Sequence, residues 1–409
     1  MVSERFQLVC EIASGSVFRR ISLVYGALFF TIGVGLPFFP VWLKARGLGV
    51  EQIAVVLALQ SGIRIAVSPF VSRLGERLGR IEAVMTACAV LALAAFVVMG
   101  LVEGYMAIAV VTALAFAAFS PLMPLTEACA VSITSRHGIA YGRMRMWGSL
   151  AFIGGSLFTG AALDFIAAGN VIWIYVSGLA ALVAALSLLP AGTCCDAAAE
   201  GGGAAGQGGG FSFLAPAFVV FVICASLLQG GHAVVYAFSA LHWKGLGYSG
   251  TVVGLLWGIG VVAEIILFWF SAPVMEKLGA RNLLLLGALA SVVRWSGLAV
   301  DPPLVALFIL QALHGLTFGA SHLGAMEYIR RHVPADRAAT AQAVYGAMSG
   351  GLVLTSATWA SGPLYRDYGA HAWFFMAAMA LLAGGLALAL KRIDLPLYRP
   401  HHQPREQGR

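Results

Sequence analysis

Glu76-Arg77-Leu78-Gly79 returns as Glu276-Lys277-Leu278-Gly279, 200 residues further on, and the same displacement carries Lys44 to Lys244, Glu127 to Glu327 and Trp173 to Trp373. Apolar coincidences are cheap in a chain of mean hydropathy +0.88. Polar and aromatic matches held in one unbroken register are not, so the chain reads as one module written twice.

Hydrophobic residues make up 60% of the 409 and charged residues 11%, so lipid is the solvent for most of the chain and a soluble enzyme is excluded. Apolar windows predict helices near 20–43, 51–73, 82–101, 105–134, 142–163, 170–190, 214–243, 250–272, 281–300, 303–332, 340–363 and 370–391. The expected fold class is therefore an all-α membrane protein of twelve transmembrane helices in two pseudo-symmetric six-helix bundles. Residues 20–190 form the first bundle and 214–391 the second, with a cytoplasmic lead-in at 1–19 and a cytoplasmic tail at 392–409. The lead-in carries Glu4, Arg5, Glu11, Arg19 and Arg20 and lacks the apolar core of a secretory signal. Residues 191–213 are the expected linker, glycine-rich and too flexible to hold a side-chain constellation.

With both termini placed inside, 19 of the 25 lysines and arginines fall on the cytoplasmic side; Lys44, Arg46, Lys244 and Arg366 fall outside, and Arg64 and Arg294 within spans. This is the positive-inside pattern, so the net charge of +7 reads as orientation rather than nucleic-acid affinity. Cys10, Cys88, Cys129, Cys194, Cys195 and Cys224 are expected to be free thiols. Cys194 and Cys195 lack two further ligands nearby, so no metal site is expected.

Pro37 and Pro40 in the first span, Pro69 in the second, and Pro121 and Pro124 in the fourth free carbonyls that need cavity water or neighbours. They are either packing kinks or signs that spans 1 and 4 border an aqueous path. Gly148, Gly154, Gly155 and Gly160 in span 5 and Gly254 and Gly258 in span 8 permit close backbone approach, either as static packing or as sliding contacts between the halves.

Ser72 to Arg80 resembles the signature loop of the major facilitator superfamily, with Ser72 where glycine is usual and Glu76 in place of aspartate. Its second copy is Ser271 to Arg281. Five further stretches, PLMPLTEA (121–128), YGRMRMWGS (141–149), LLQGGHAVVYAFSALHW (227–243), VVAEII (261–266) and VVRW (292–295), resemble the 3-phenylpropionate permease family. The resemblance implies proton-driven uptake across a bacterial inner membrane by a rocking twelve-helix fold. Glu76, Arg77 and Gly79 with Glu276, Lys277 and Gly279 would then be the conformational loops.

An ionised group at a helix centre costs roughly 2.5–3.5 kcal/mol, so retained charges should face partners or water. Arg64 stands in a polar stripe with Gln60 and Ser68, either as a cavity cation for an organic anion or as a structural arginine. Glu127 and Arg145 lie at about 9 Å and 5 Å from the cytoplasmic ends of spans 4 and 5, depths that permit an ion pair. Arg143 points about 160° away from Arg145 and is an ordinary inside positive. At the position matching Arg145 the second half has Tyr345, so Glu327 lacks the cation of its twin and is a candidate proton carrier, or else an interfacial partner of Arg330 and Arg331. Glu264 and Arg294 sit at about 12 Å and 20 Å on consecutive helices, where a long arginine could close much of the gap.

Resemblance to the lactose permease branch places Glu127, Glu264, Glu327, Arg145, Arg294 and His322 in the helices that carry that branch's charges. His322 and Glu327 are about 140° apart on the helical wheel, whereas His314 and His322 share a broad face. His232, in the seventh span, is a binding candidate or a satisfied core histidine. Trp42 and Trp243 read as an interfacial belt, and Phe38, Phe39, Tyr236, Phe238 and Trp257 as surfaces for an aromatic solute.

The sequence thus implies an alternating-access secondary transporter, monomeric and embedded in the bilayer, coupling inward proton flow to uptake of a small organic solute such as an aromatic acid. Substrate-binding candidates are Gln60, Arg64, Glu127, Arg145, His232 and Tyr236. Proton-coupling candidates are Glu264, Arg294, His322 and Glu327, with protons as coupling ion and no cofactor. The alternatives are proton-antiport efflux, disfavoured because span 5 lacks the Gly-Pro pair that exporters carry, and a non-transporting sensor or scaffold. No metal cluster, phosphate loop or nucleophile constellation supports catalysis.

Overall fold

The structure, a computed structural model, describes residues 2–137, 141–190, 192–194 and 211–393, leaving aside the side chains of residues 2–14, 76 and 135–137. Spans 1 to 3 are single helices, α1 (Val2–Ala45), α2 (Val50–Leu78) and α3 (Ile81–Leu101). Span 4 is split into α4 (Tyr105–Phe119) and α5 (Leu122–His137), and spans 5 and 6 are α6 (Tyr141–Ala162) and α7 (Val171–Ser187). Span 7 comprises α8 (Pro216–Gly230) and α9 (Ala233–Gly245); span 8 is α10 (Gly250–Trp269). Span 9 is the part of α11 (Ser271–Leu298) beyond Gly279, where the backbone leaves helical geometry.

Span 10 runs through α12 (Leu304–Ala312), a π segment (Gly315–Ala320) and α13 (Ser321–His332). Span 11 runs through α14 (Ala338–Gly346), a second π segment (Ala347–Val353) and α15 (Leu354–Tyr368), and span 12 is α16 (Trp373–Ile393). Of the spans whose prolines mark them for a break, only span 4 is split, whereas α1 and α2 run on through Pro37, Pro40 and Pro69, and span 7 parts where no break is expected. Span 4 parts at Ser120-Pro121 and span 7 at Gly231-His232, where proline lacks an N–H and glycine adds backbone freedom. The lead-in, in contrast, is helical from Val2 and continuous with span 1.

The repeat is visible in the backbone. Gly47 and Gly247 take φ of 85° and 89°, and their N–H groups donate back to the carbonyls of Lys44 and Lys244 at 3.0 and 3.1 Å. Leu48 and Tyr248 donate to Leu43 and Trp243 at 3.2 and 3.1 Å. Only glycine enters that region without a Cβ penalty, so both copies end a span and restart the next in the same way. At the opposite, arginine-rich face Gly79 and Gly279 repeat the device with φ of 59° and 71°. In those turns Arg77, Glu276 and Lys277 are exposed.

The halves meet most closely at the face bearing Gly47 and Gly247, here called the far face. There α6 packs on α10 and α2 on α15. A Cβ added to Gly250 would lie 2.2 Å from the Gly160 carbonyl oxygen, one on Gly254 2.6 Å from that of Ser156, and one on Gly362 2.7 Å from Ala54 Cβ. Two latches flank these contacts. Asp164 accepts from the N–H groups of Gly250 and Thr251 at 2.5 and 3.1 Å and from the Thr251 hydroxyl at 2.6 Å, capping α10 from the other half. Glu51, at the start of α2, pairs with Arg366 at the end of α15.

Other expectations need correcting. Of the four span 5 glycines Gly160 faces the second half, Gly148 and Gly155 press on Phe29 and Phe30 within the first, and Gly154 meets nothing. Trp42 and Trp243 are not at an interface but fully buried, with the Trp42 indole satisfied by the Gly169 carbonyl at 3.1 Å. Phe38, Phe39 and Phe238 also lie in the core, Phe238 stacked on Tyr365 at 4.5 Å. Cys129 and Cys194 are joined by a disulfide because the chain after span 6 folds back beside α5, while Cys88 and Cys224 are free and buried. Cys195, the remaining linker from 195 to 210, and the tail from 394 to 409 lie outside the described residues.

Candidate functional site

The matched starts of α2 and α10 put residue n of one at the depth of residue n+200 of the other. Arg64 and Glu264 are each fifteenth in their helix, about 21 Å from the far-face end. Their charges are opposite. Each also faces a π segment, a widened turn that recurs at functional sites because it disturbs the regular carbonyl ladder. Arg64 Nη2 donates to Gly350 O of the span 11 segment at 3.5 Å. The Glu264 side chain lies against Gly319 of the span 10 segment.

Both side chains line a cavity between the halves. The chamber around Arg64 holds ≈ 610 Å³ and is walled by Gln60, Phe119, His322 and Tyr345, among others. The chamber around Glu264 holds ≈ 210 Å³ and is walled by Arg145, Trp257, Arg294, Gln311 and His314. Ile32, Leu36, Tyr236 and Phe318 belong to both walls and mark where the chambers meet. Spans 1 and 4 both border the cavity, through Ile32, Leu36 and Phe119. Of the aromatic residues singled out above, Tyr236 and Trp257 face it, stacked on each other at 5.9 Å.

Glu264 and Arg294 do not touch. His314 stands between them, with Arg294 Nη1 3.1 Å from its Nδ1 and Glu264 Oε2 3.5 Å from its Nε2. Guanidinium can only donate, so Nδ1 accepts and the ring proton sits on Nε2, facing the carboxylate. Arg294 also donates to Thr317 Oγ1 at 2.8 Å and Gln311 Oε1 at 2.6 Å. At the other end His232 Nδ1 meets the Gln229 carbonyl at 3.1 Å, which can only accept, so Nε2 accepts from Thr317 at 3.1 Å. Donors thus point one way from Arg294 through His314 to Glu264. Among the described residues the His314 imidazole is the one close polar contact of that carboxylate, with Arg145 and His322 acting on it at longer range.

The first half treats its carboxylate differently. Glu127 is paired with Arg145 at 3.4 Å, accepts from Tyr25 at 3.0 Å and is also bonded by Tyr141. Arg145 reaches from this cluster into the Glu264 chamber with its guanidinium 4.2 Å above the Phe29 ring, whereas Glu127 itself does not line either chamber. Arg143 points elsewhere, over Phe18.

Three site expectations change. Glu327 does not lack a cation: Arg330 donates to it at 2.6 and 2.7 Å and Arg331 clasps it too, since positions i+3 and i+4 of one helix turn share its face. It is thus the interfacial partner of these two arginines and lies away from both chambers. His232 is fully buried with both ring nitrogens satisfied and does not reach the cavity. His314, Gln311 and Thr317 are absent from the proton-coupling candidates that the sequence suggests, although they tie Arg294 to Glu264. The signal that could have found the central pair is the register itself, which carries Arg64 onto Glu264. His322 stacks on Phe318 at 6.1 Å and faces the Arg64 chamber. Among the described residues no cluster of metal-ligating side chains occurs.

Comparison with known proteins agrees with this architecture. Residues 18–377 match the MFS_1 like family. A probable 3-phenylpropionic acid transporter of Escherichia coli (strain K12) is 33% identical over 371 residues, covering 89% of this chain and 96% of that one. A maltose permease of Geobacillus stearothermophilus is 27% identical, covering 90% and 93%. In fold, the chain resembles the nucleoside transporter NupG, with a TM-score of 0.75 and 16% identity over 92% of this chain and 98% of that one. A D-xylose-proton symporter is similar at a TM-score of 0.67 and 15% identity, covering 94% and 98%. The chain therefore belongs to the MFS_1 like family, multi-pass membrane transporters of the major facilitator type.

Proposed function

We propose that this transporter is a proton symporter for a small aromatic carboxylate, with Arg64 taking the carboxylate and Glu264 the proton. The observation that carries the proposal is the pair of repeat-equivalent, opposite charges in one cavity. Empty, the pair sums to zero. Loaded, the solute neutralises Arg64 and the proton neutralises Glu264, so the sum is again zero. Arg294, held by His314, Thr317 and Gln311, and Arg145, paired with Glu127, keep their charges throughout, so one ligand alone shifts the cavity's charge by one unit, which in a low-dielectric site costs several kcal/mol and resists the swing of the halves. Coupling then follows from charge balance, one proton per carboxylate.

Tyr236, which lines both chambers, and Trp257, stacked on it in the Glu264 chamber, offer faces for an aromatic ring. The name of the Escherichia coli relative supports that choice of solute. Arg294 and His314 orient Glu264, and Arg145, neutralised by Glu127, walls the smaller chamber. By the positive-inside rule the arginine-rich face and both termini are cytoplasmic, in a bacterial inner membrane, so the latched far face is the outer one and the cavity serves the cytoplasm in this state. Residues 20–190 and 214–391 move as two bodies about the Asp164 and Glu51 contacts, within a monomer.

Uptake of 3-phenylpropionate into proteoliposomes tests this. An imposed inward pH gradient should drive accumulation and alkalinise the outside, and accumulation without proton entry would end the symport reading. Efflux by antiport predicts the opposite proton flow in the same vesicles.

A further inference from the structure

A second cavity, ≈ 1010 Å³ and apolar, lies outside the transport path, between spans 1, 5 and 6 on the outer surface of the first half. It runs from Phe18 to Phe30 on α1, a rise of about 18 Å, and from Leu188, just past the end of α7, back to Ser177 over a rise of about 16 Å. That is close to half of the roughly 30 Å hydrocarbon thickness of a bilayer, the depth of one leaflet. Small residues floor it, so that no side chain of the protein fills it: a Cβ on Gly26 meets nothing within 4 Å, and Ala181 and Ala184 are exposed. Its mouth is cationic. Arg19 lines the mouth, Arg143 lies over the Phe18 ring beside it with its guanidinium carbon 5.6 Å from the centroid, and the Ser22 hydroxyl one turn deeper has no hydrogen-bond partner among the described residues.

We propose that this groove is a binding site for an anionic phospholipid of the cytoplasmic leaflet, its acyl chain along Gly26 and Ala181 and its phosphate between Arg19 and Arg143. The orientation rests on the proposed inside placement of the arginine-rich face, but the site does not depend on the transported solute. A groove one leaflet deep, apolar along its length and basic at one end, matches a phospholipid in both shape and charge. A zwitterionic lipid would fill the length and gain little at the mouth.

The full-length protein, delipidated and then equilibrated with mixed micelles of phosphatidylglycerol and phosphatidylcholine, is assayed for retained lipid by native mass spectrometry. Phosphatidylglycerol should be retained in preference to phosphatidylcholine. Arg19→Gln and Arg143→Gln should each cut that preference roughly fivefold, the worth of one basic residue near an anionic headgroup. Gly26→Leu with Ala181→Leu should abolish retention of both lipids with the helical content unchanged. Equal retention of both lipids by the unaltered protein overturns the proposal, as does an unchanged preference in the double arginine variant. Both arginines are exposed and outside the transport cavity, so that arm reads out whether or not the groove-filling variant folds.

Discussion

Arg64 in α2 and Glu264 in α10 occupy the same place in two copies of one fold, yet the first half has spent its symmetry on a cation and the second on an acid. Their surroundings diverge too. Arg64 stands in the wider chamber with one carbonyl partner, whereas Glu264 stands in the tighter one at the end of a hydrogen-bond chain whose polarity is set by Arg294. A duplicated scaffold supplies equal depth and equal access; departures from the repeat supply the chemistry. Glu127 and Glu327 make the complementary point. They are repeat equivalents of the same charge, both are engaged by arginines or tyrosines, and neither lines the transport cavity.

The largest effect should come from breaking the chain that holds Glu264. Arg294→Ala removes three hydrogen bonds, from Thr317, Gln311 and the partly buried His314, a loss of about 3–5 kcal/mol for bonds to a charged donor that thermal unfolding in detergent would reveal. An unchanged melting temperature would show that spans 9 and 10 are held together by other contacts. Next is Arg64→Gln, which should lower the affinity for a carboxylate solute at least about tenfold, the worth of a charged hydrogen bond, while sparing a neutral amide analogue. Equal loss for both solutes would return Arg64 to a structural role.

Charge balance also sharpens the comparison. If one proton accompanies one carboxylate, a potassium diffusion potential imposed across proteoliposomes should leave the uptake rate unchanged at fixed pH gradient. A rate that follows the potential would show that the two charges are not matched. The smallest effect is at the outer latch. The Thr251 hydroxyl, with the N–H groups of Thr251 and Gly250, favours the ionised form of Asp164 and holds its carboxyl below the usual carboxylate range. A depressed value means the latch is intact above the ordinary pKa of about 3.9 and lost only as pH falls through the lower folded value. Hydrogen exchange in the first turn of α10 should therefore be insensitive to this group from pH 5 to 8. Asp164→Asn should speed it modestly, by the roughly 1 kcal/mol of an N-cap. Exchange that rises on going from pH 8 to pH 5 would rule out this latch geometry.

The repeat, the span positions and the intramembrane charges were legible because lipid punishes polar residues and a duplication repeats its glycine turns. Less was legible where contacts between distant spans decide. The partnership of Arg294 with His314 instead of Glu264 depends on which faces of spans 8, 9 and 10 converge, and a wheel drawn for one helix cannot give that. Glu327 was ambiguous because depth alone does not say whether Arg330 and Arg331 fold back onto it. Trp42 was misplaced since a tryptophan near a span end can find its acceptor inside the protein, as this one does at Gly169, instead of at the headgroups. The π segments of spans 10 and 11 are packing outcomes, with only their glycines as a hint.

The central claim is that Glu264 carries the coupled proton. Glu264→Gln in proteoliposomes should keep exchange of labelled for unlabelled 3-phenylpropionate, since glutamine mimics the protonated acid, and should bring pH-driven accumulation down to an inside-to-outside ratio of one. Accumulation that survives in this variant would contradict the account.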